Sequence, residues 1–431
     1  MNNIQSIKDA SLAAVVKTYS TPLYVYDTHV IEKCYMTLKE SLGNVPHIYY
    51  SLKANPAVAI AHVLQKLGAG VEVCSGAELE LAIMAGFSPD KIIFVGPAKK
   101  TAELARAIQL RIRAIVCESE EEFLLINELA KTGSVVANVA LRINPAFAVR
   151  NASLRMGGVP SQFGMDEEKI FEKRDFFMNK KHVHVIGIQV FSATRILNED
   201  ILLENTKNIL ALFKHLSATW KVNFSFLDIG GGFGVPYFRD EKPIHFFKLR
   251  HQLEPLLKTF KEKNPDVDLI VESGRYLVAE SGVFVSRIVS IRESRGVRFL
   301  ITDGGMNCHL TAAGYGSLVK RNFPIRLLGD RSSFEEYRYH ITGPLCTPTD
   351  LIGRDVLLPE AKIGDCVVIE SSGAYGPTAS PVYFLGHGYP AEVLLQNGEA
   401  LLIRQRDHFQ DFLHRQYFQH SPHLHILPLP A

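Results

Sequence analysis

Short runs of β-branched and aromatic residues alternate with longer amphipathic stretches through the first two-thirds of the chain. The runs that predict strands are His47–Ala54, Gly70–Ser75, Lys91–Gly96, Arg113–Cys117, Ser134–Ile143, Val183–Phe191, Asn223–Ile229 and Val267–Glu272. Between them, segments such as Ala57–Leu67, Ala77–Ala85 and Ala102–Gln109 carry apolar residues at helical spacing. Eight strand–helix alternations predict an α/β fold, a parallel (β/α)8 TIM barrel of about 250 residues. A doubly wound sheet is the alternative, since one strand gained or lost changes the reading.

After Ser281 the texture changes. The runs SGVFVSRIVSIRE, VRFLITDGG, YRYHITGPL, DCVVIESSGAY and AEVLLQNGEALLIR are strand-like and separated by turn residues. They predict a mostly antiparallel β domain. Pro22–Asp27 is strand-like too and is expected to cross over and join it. The division expected is a barrel over 28–280 and a β domain built from 1–27 plus 281–431. The last 25 residues hold five His and three Pro and predict a helix and a loose tail, without metal-ligand spacing.

Apolar residues are 47% and charged residues 21%, an ordinary globular balance that excludes a disordered chain. Lys and Arg total 47 against 45 for Asp and Glu, a net charge of +2, which gives no electrostatic case for nucleic acid or a membrane surface. No apolar run is long enough to span a bilayer, and the start MNNIQSIKDA has no basic segment leading into an apolar one. A cytoplasmic protein is expected. Cys34, Cys74, Cys117, Cys308, Cys346 and Cys366 form neither a zinc pattern nor a disulfide ladder. They predict buried free thiols, Cys346 excepted.

In a barrel of this kind the working residues sit at the C-terminal ends of the strands. Strand one ends in Ser51-Leu52-Lys53-Ala54-Asn55-Pro56, and a lysine closing an apolar strand is costly to bury unpaired. Desolvation would lower its pKa and make it a nucleophile for carbonyls. Strand two carries Glu72, and strand five ends in Arg142. Strand six ends in Phe191-Ser192-Ala193-Thr194, where an aromatic could stack on a planar ring. Strand seven ends in Asp228-Ile229-Gly230-Gly231-Gly232-Phe233-Gly234, and strand eight in Glu272-Ser273-Gly274-Arg275. Glycines expose backbone N–H groups to a phosphate, and barrel phosphate sites lie after strands seven and eight. An amine, a stacking aromatic, a phosphate cradle and a carboxylate are what pyridoxal 5'-phosphate requires.

The ordered motifs YYSLKANP, GVEVCSGAEL, LRINP, SQFGMD, LDIGGGFG, ESGRYLV, GPLC and SGAYG resemble the fold-type III pyridoxal-phosphate decarboxylases of diaminopimelate, ornithine and arginine. The resemblance runs from about Pro22 to Leu395. It implies an alanine-racemase-like architecture of barrel plus β domain, and a head-to-tail homodimer with shared active sites. Lys53 would be the Schiff-base lysine, with Glu72 beside it and Arg142 near the cofactor ring. Phe191 would stack on the ring, and Glu272 would bind the pyridine nitrogen. Thr194, Gly231, Gly232, Gly274, Arg275 and Tyr375 would surround the phosphate. Cys346 and Asp350 would enter from the neighbouring subunit, with Cys346 donating the proton to the carbanion. Related barrel racemases place an arginine where Glu272 stands, so the glutamate favours decarboxylation.

Three departures bear on the substrate. The stacking position is usually histidine in H-x-G-S; here it is Phe191-Ser192-Ala193-Thr194. The acid that usually follows the cysteine, and helps read a distal amine, is Thr347. The R-P-x-L-Y segment that holds a distal carboxylate is absent. Arg275, His309, Cys346 and Asp350 are the expected substrate contacts. The segments GGVPSQFGMD, DGGM, KRNFP, GPLCTPTD and SGAYG with SPVYFLGH are similar to a branch that includes decarboxylases of carrier-protein-bound amino acids and decarboxylases found with exopolysaccharide-export and siderophore pathways. The expected substrate is therefore tethered or conjugated. A free amino acid such as diaminopimelate is the alternative, and a non-catalytic cofactor-binding partner protein is an alternative of another class. The acids at Glu118–Glu122 read as a solvated helix start.

Overall fold

The structure is a computed structural model, and it describes residues 7–148, 157–314, 321–329, 335–414 and 416, with the backbone of 154–155. The chain opens with helix α1 (Asp9–Tyr19), strand β1 (Leu23–Asp27) and helix α2 (Thr28–Ser41). Eight parallel strands follow: β2 (His47–Ser51), β3 (Gly70–Val73), β4 (Ile92–Phe94), β5 (Ala114–Cys117), β6 (Ala137–Asn144), β7 (Val183–Gln189), β8 (Phe226–Asp228) and β9 (Asp268–Ser273). Each pairs with the next, and β9 pairs in turn with β2 through Glu272↔Tyr49, so the ring closes. Closure excludes the doubly wound alternative, which has free sheet edges.

Helices wrap the ring on the outside: α3 (Val58–Lys66), α4 (Gly76–Met84), α5 (Thr101–Leu110), α6 (Glu120–Thr132), α7 (Glu199–Trp220) and α8 (Phe246–Lys263) among the longer ones. Helix α2 packs against α8 and α3, and so covers the wall between the last and first strands. Side-chain caps start several helices directly after a strand. Ser75 Oγ accepts from the Glu78 N–H, and Ser119 Oγ from the Glu122 N–H. These caps keep both strand-to-helix loops to two residues, which fixes the side chains at the strand ends.

Strand periodicity then sorts the barrel interior into layers. Tyr49, Ile93, Val116, Ala140, Ile186, Phe226 and Ile270 form an apolar plug inside the ring. Two residues further along the same strands lie Glu118, Arg142, Asp228 and Glu272, all buried. A period of two puts them on the same inward face, one layer nearer the C-terminal mouth. The mouth is thus a polar layer on a dry floor.

The β domain is a sheet of β10 (Gly282–Ser294), β11 (Val297–Thr302), β12 (Ile325–Leu327), β13 (Glu336–Thr342), β14 (Leu351–Pro359), β15 (Cys366–Ile369), β16 (Ala391–Gln396) and β17 (Glu399–Arg404). The expected crossover is present: β1 lies between β10, antiparallel, and β16, parallel. Helix α1 packs over it, with Leu12, Val15, Leu23, Val25 and Val283 in one small core. The sheet is mostly antiparallel, with a second parallel pair between β11 and β13. The predicted C-terminal helix forms at Phe409–Leu413, and most of the tail beyond lies outside the described residues.

The two parts meet at the mouth. Asn55 Nδ2 donates to the Gly373 carbonyl at 3.0 Å, and the Tyr375 N–H donates to the Ala54 carbonyl at 2.7 Å. The Ser51–Pro56 and Ser372–Gly376 segments are thereby held against each other, and Tyr375 reaches the barrel's ligand end.

Candidate active site

Strand β2 stops at Ser51, and one turn of 3-10 helix (Leu52–Ala54) turns Lys53 over the mouth. Its Nζ lies 2.5 Å from Glu72 Oε1 and 3.7 Å from Cys74 Sγ, and the Cys74 thiol donates to the same carboxylate oxygen at 3.2 Å. The expectation of a desolvated amine of low pKa is corrected here. Burial does act to lower Lys53, but Glu72, Cys74, Glu272 and Tyr375 together outweigh it and hold the amine well above its ordinary value. Glu72 is wholly buried; burial opposes its ionisation, but the Lys53 charge and hydrogen bonds hold it below the ordinary carboxylate range. In the free protein the pair is an ammonium–carboxylate bridge, and Glu72 is placed to take or return the Lys53 proton. Burial and the adjacent Glu72 keep the Cys74 thiol well above its usual pKa, so it stays protonated.

Opposite this bridge are two buried carboxyl groups. Glu272 Oε1 accepts from Gln189 Nε2 at 3.2 Å, and Asp228 Oδ1 accepts from the Gly230 N–H at 2.8 Å. Burial, then the charge of Glu72, pushes Glu272 up to about 7. Burial, then Glu272, pushes Asp228 well above its ordinary range. Burial opposes the ionisation of both carboxyls, and a cation brought against Glu272 would favour its charged form. Phe191 lies near Lys53, whose Nζ is 5.9 Å from the ring centroid. Arg142 is buried, with Nη1 2.7 Å from Glu118 Oε1 and its guanidinium 4.8 Å from the Phe163 ring.

At the ends of β8 and β9 the backbones approach too closely for side chains. A Cβ on Gly231 would lie 1.8 Å from the Glu272 carbonyl oxygen, and Gly232 adopts φ +92°. Gly274 starts the short helix Arg275–Val278. The Arg275 guanidinium stacks 4.4 Å from the Tyr375 ring, and Nη1 donates to the Tyr237 hydroxyl at 3.0 Å. Thr194 lies on a two-residue strand, Ala193–Thr194, just after β7.

Glu72 Oε2, Gln189 Oε1, Ser192 Oγ, Asp228 Oδ2, Ser273 Oγ and Arg275 Nε are buried without a hydrogen-bond partner in the protein. Buried polar groups of a folded protein are ordinarily satisfied. Ser273 Oγ and Arg275 Nε are such donors at the end of β9, and Glu72 Oε2 and Asp228 Oδ2 are such carboxyl oxygens on β3 and β8. A ligand with an anionic end and a cationic, hydrogen-bonding ring fits that distribution, and pyridoxal phosphate is such a ligand. The strand-end residues expected in the barrel are thus brought together at one mouth, with Tyr375 joining them from the β domain.

Two expected substrate contacts have other places. His309 is fully buried: Nε2 is 3.0 Å from Ser372 Oγ, and the ring packs edge-on to Phe284 and Phe323. It supports the Ser372–Tyr375 segment from behind. Asp350 is also buried, and its carboxylate accepts the N–H groups of Met306 at 2.6 Å and Leu345 at 2.8 Å. It braces two loops against each other, so its oxygens are engaged within the chain. Cys346, four residues earlier, is exposed. The sequence reading passed over Cys74, Gln189 and Asp228, and it placed Glu118 in solvent. Period-two counting from the apolar plug residues Val116 and Phe226 would have found Glu118 and Asp228.

A closed barrel with this mouth defines a pyridoxal-phosphate enzyme of the barrel type. A family model described as "Pyridoxal-dependent decarboxylase, pyridoxal binding domain" matches residues 28–279, and the chain belongs to that family. It is a pyridoxal-phosphate-dependent amino-acid decarboxylase. The chain is 38% identical to L-glutamyl-[BtrI acyl-carrier protein] decarboxylase of Niallia circulans, over 95% of this chain and 97% of that one. It is 32% identical to the diaminopimelate decarboxylase of Vibrio cholerae, over 92% of each. Among solved structures, diaminopimelate decarboxylase of M. jannaschii in co-complex with L-lysine superposes with a TM-score of 0.85 at 28% identity, covering 96% of this chain and 95% of that one.

Proposed function

We propose that the protein removes the α-carboxylate, as carbon dioxide, from an amino-acid unit whose far end is joined to a carrier protein or otherwise conjugated. Lys53 would hold the cofactor through its amine, and Glu72, 2.5 Å from Nζ, would accept and return the proton there. Phe191 would pack on the cofactor ring, Arg142 would lie beside it, and Glu272 would pair with the pyridine nitrogen. Thr194, Gly231, Gly232, Gly274, Arg275 and Tyr375 hold the phosphate. Pyridoxal phosphate supplies a sink for the electron pair left on the α-carbon when carbon dioxide departs. Asp228 and Gln189 keep Glu272 in place, and the dry floor beneath it strengthens its interaction with a positive ring. The working unit in this reading is a cytoplasmic homodimer in a biosynthetic pathway, with Cys346 of one chain protonating the α-carbon in the other.

The observation that carries the substrate reading is the loop bearing Cys346. The residue after the cysteine is Thr347, whose hydroxyl pairs with Thr349 Oγ1 at 2.9 Å. The carboxylate at the loop's end, Asp350, is buried and held by main-chain N–H groups. This leaves no free acid on the loop to pair with a distal ammonium, and an amide or thioester end needs none. The similarity to a relative named for a carrier-bound glutamyl substrate supports the same reading. The test offers the cofactor-loaded protein aminoacyl carrier proteins, conjugated amino acids and free amino acids, with mass spectrometry to read loss of carbon dioxide. Turnover of a carrier-bound or conjugated unit is expected. Turnover of free diaminopimelate or ornithine at ordinary catalytic rates, without it, overturns the reading.

A further inference from the structure

A buried cluster of charges links the ends of β4, β5 and β6. Glu118 is 6% exposed and sits between strand β5 and the cap of α6. Its Oε1 accepts from Arg142 Nη1 at 2.7 Å and from the Gly96 N–H at 2.9 Å; its Oε2 accepts from the Gly164 N–H at 3.1 Å. Its own N–H donates to Glu122 Oε2 at 2.9 Å, and Glu122 Oε1 meets Lys99 Nζ at 2.5 Å. The Lys99 side chain is 1% exposed, and its ammonium also donates to the carbonyls of Gly96 and Val116, each at 2.8 Å.

The cluster holds two cations and two carboxylates, so its charges cancel within the barrel. Each carboxylate has a distinct task. Glu122 binds Lys99 and the backbone, away from the mouth. Glu118 spends one oxygen on the Arg142 guanidinium and fixes the other on a loop N–H. A guanidinium is a rigid fork, and a single anchored edge sets where its remaining donors point. Phe163 closes one face of that fork. Among the described residues, Glu118 is the carboxylate paired with Arg142.

We infer that Glu118 is a positioning residue, fixing the Arg142 guanidinium toward the cofactor ring while Lys99 and Glu122 hold Glu118 in place. The inference rests on the placement of Arg142 proposed above. The rival is a cluster that only ties strands together, and a double-mutant cycle on cofactor affinity separates the two. Full-length protein stripped of cofactor is titrated with pyridoxal phosphate and followed by visible absorbance, with the cofactor-free thermal midpoint as the fold control. Arg142→Gln should weaken affinity about 10-fold, the scale of one lost charge-assisted contact. Glu118→Gln should weaken it about 10-fold in the parent but less than about 2-fold in the Arg142→Gln background. If Arg142→Gln changes nothing, the placement of Arg142 fails and the inference with it. If Arg142→Gln weakens binding but Glu118→Gln does not, or if the two effects are additive, Arg142 stands and the positioning role is overturned. Should Glu118→Gln not fold, Glu118→Asp keeps the charge on a shorter arm and enters the same cycle, where additivity again overturns the inference.

Discussion

Replacing Glu272 by Gln should flatten the pH dependence of stability of the cofactor-free protein. Glu272 is 2% exposed, and burial beside Glu72 moves its carboxyl from 4.5 up to about 7. That shift corresponds to about 3 kcal/mol, on the order of 1.4 kcal/mol per unit. The folded-state value lies above the unfolded one, so the folded protein retains a proton that the unfolded chain releases. The stabilisation is complete below about pH 4.5 and is lost as the pH rises through about 7. Between about pH 5.5 and 8.5 the wild type should therefore lose about 2 kcal/mol that Glu272→Gln does not lose. Glu78, Glu280, Asp303 and Asp350 are also raised, burial being the main cause, but they are common to both proteins and cancel in the difference. Urea unfolding of both cofactor-free proteins at the two pH values measures it. Parallel pH profiles would refute the reasoning, since they would mean that Glu272 is ionised in the fold at no cost.

Other expectations follow from the same geometry. Gly231→Ala must push a Cβ into the Glu272 carbonyl, 1.8 Å away, and should cost about 3 kcal/mol by urea unfolding; a change within about 0.5 kcal/mol would mean the two strand ends are not so close. Arg275→Ala removes the cation stacked on Tyr375 and should weaken pyridoxal phosphate about 10-fold or more by absorbance titration, with Arg275→Lys intermediate. Thr347→Glu restores an acid beside Cys346 and should raise kcat/KM for a free diamino acid relative to a conjugated one by about 10-fold. An unchanged ratio would remove Thr347 as a determinant of the substrate.

The barrel was legible because its strands are apolar runs bounded by turns, and each of the eight runs overlaps an observed strand. The residues closing those strands were legible for the same reason: Lys53, Glu72 and Glu272 are charges where an apolar run should not end in one. Glu118 obeys the same rule, following Ala-Ile-Val-Cys, but three more acids begin the next helix and draw the eye to a solvated face. The helix starts only after Ser119, which leaves Glu118 on the strand side of the cap. Cys74 and Gln189 were hidden because neither type announces a site alone; Cys74 meets Glu72 from two residues along the same chain segment, and Gln189 reaches Glu272 across the barrel from a strand two away. His309 and Asp350 were read as substrate groups from a loop position, whereas burial is decided by packing partners as distant in sequence as Phe284 and Ser372. The low pKa expected of Lys53 failed because burial was weighed alone, whereas Glu72, Cys74, Glu272 and Tyr375 together outweigh it.

The claim on which the account depends is that one amine, at the turn after the first barrel strand, carries the cofactor. Borohydride treatment of the pyridoxal-phosphate-loaded protein, followed by proteolysis and peptide mass spectrometry, tests it directly. The account predicts a pyridoxyl group on Lys53 and none in Lys53→Ala; a label on another lysine, or an unlabelled Lys53 peptide, contradicts it.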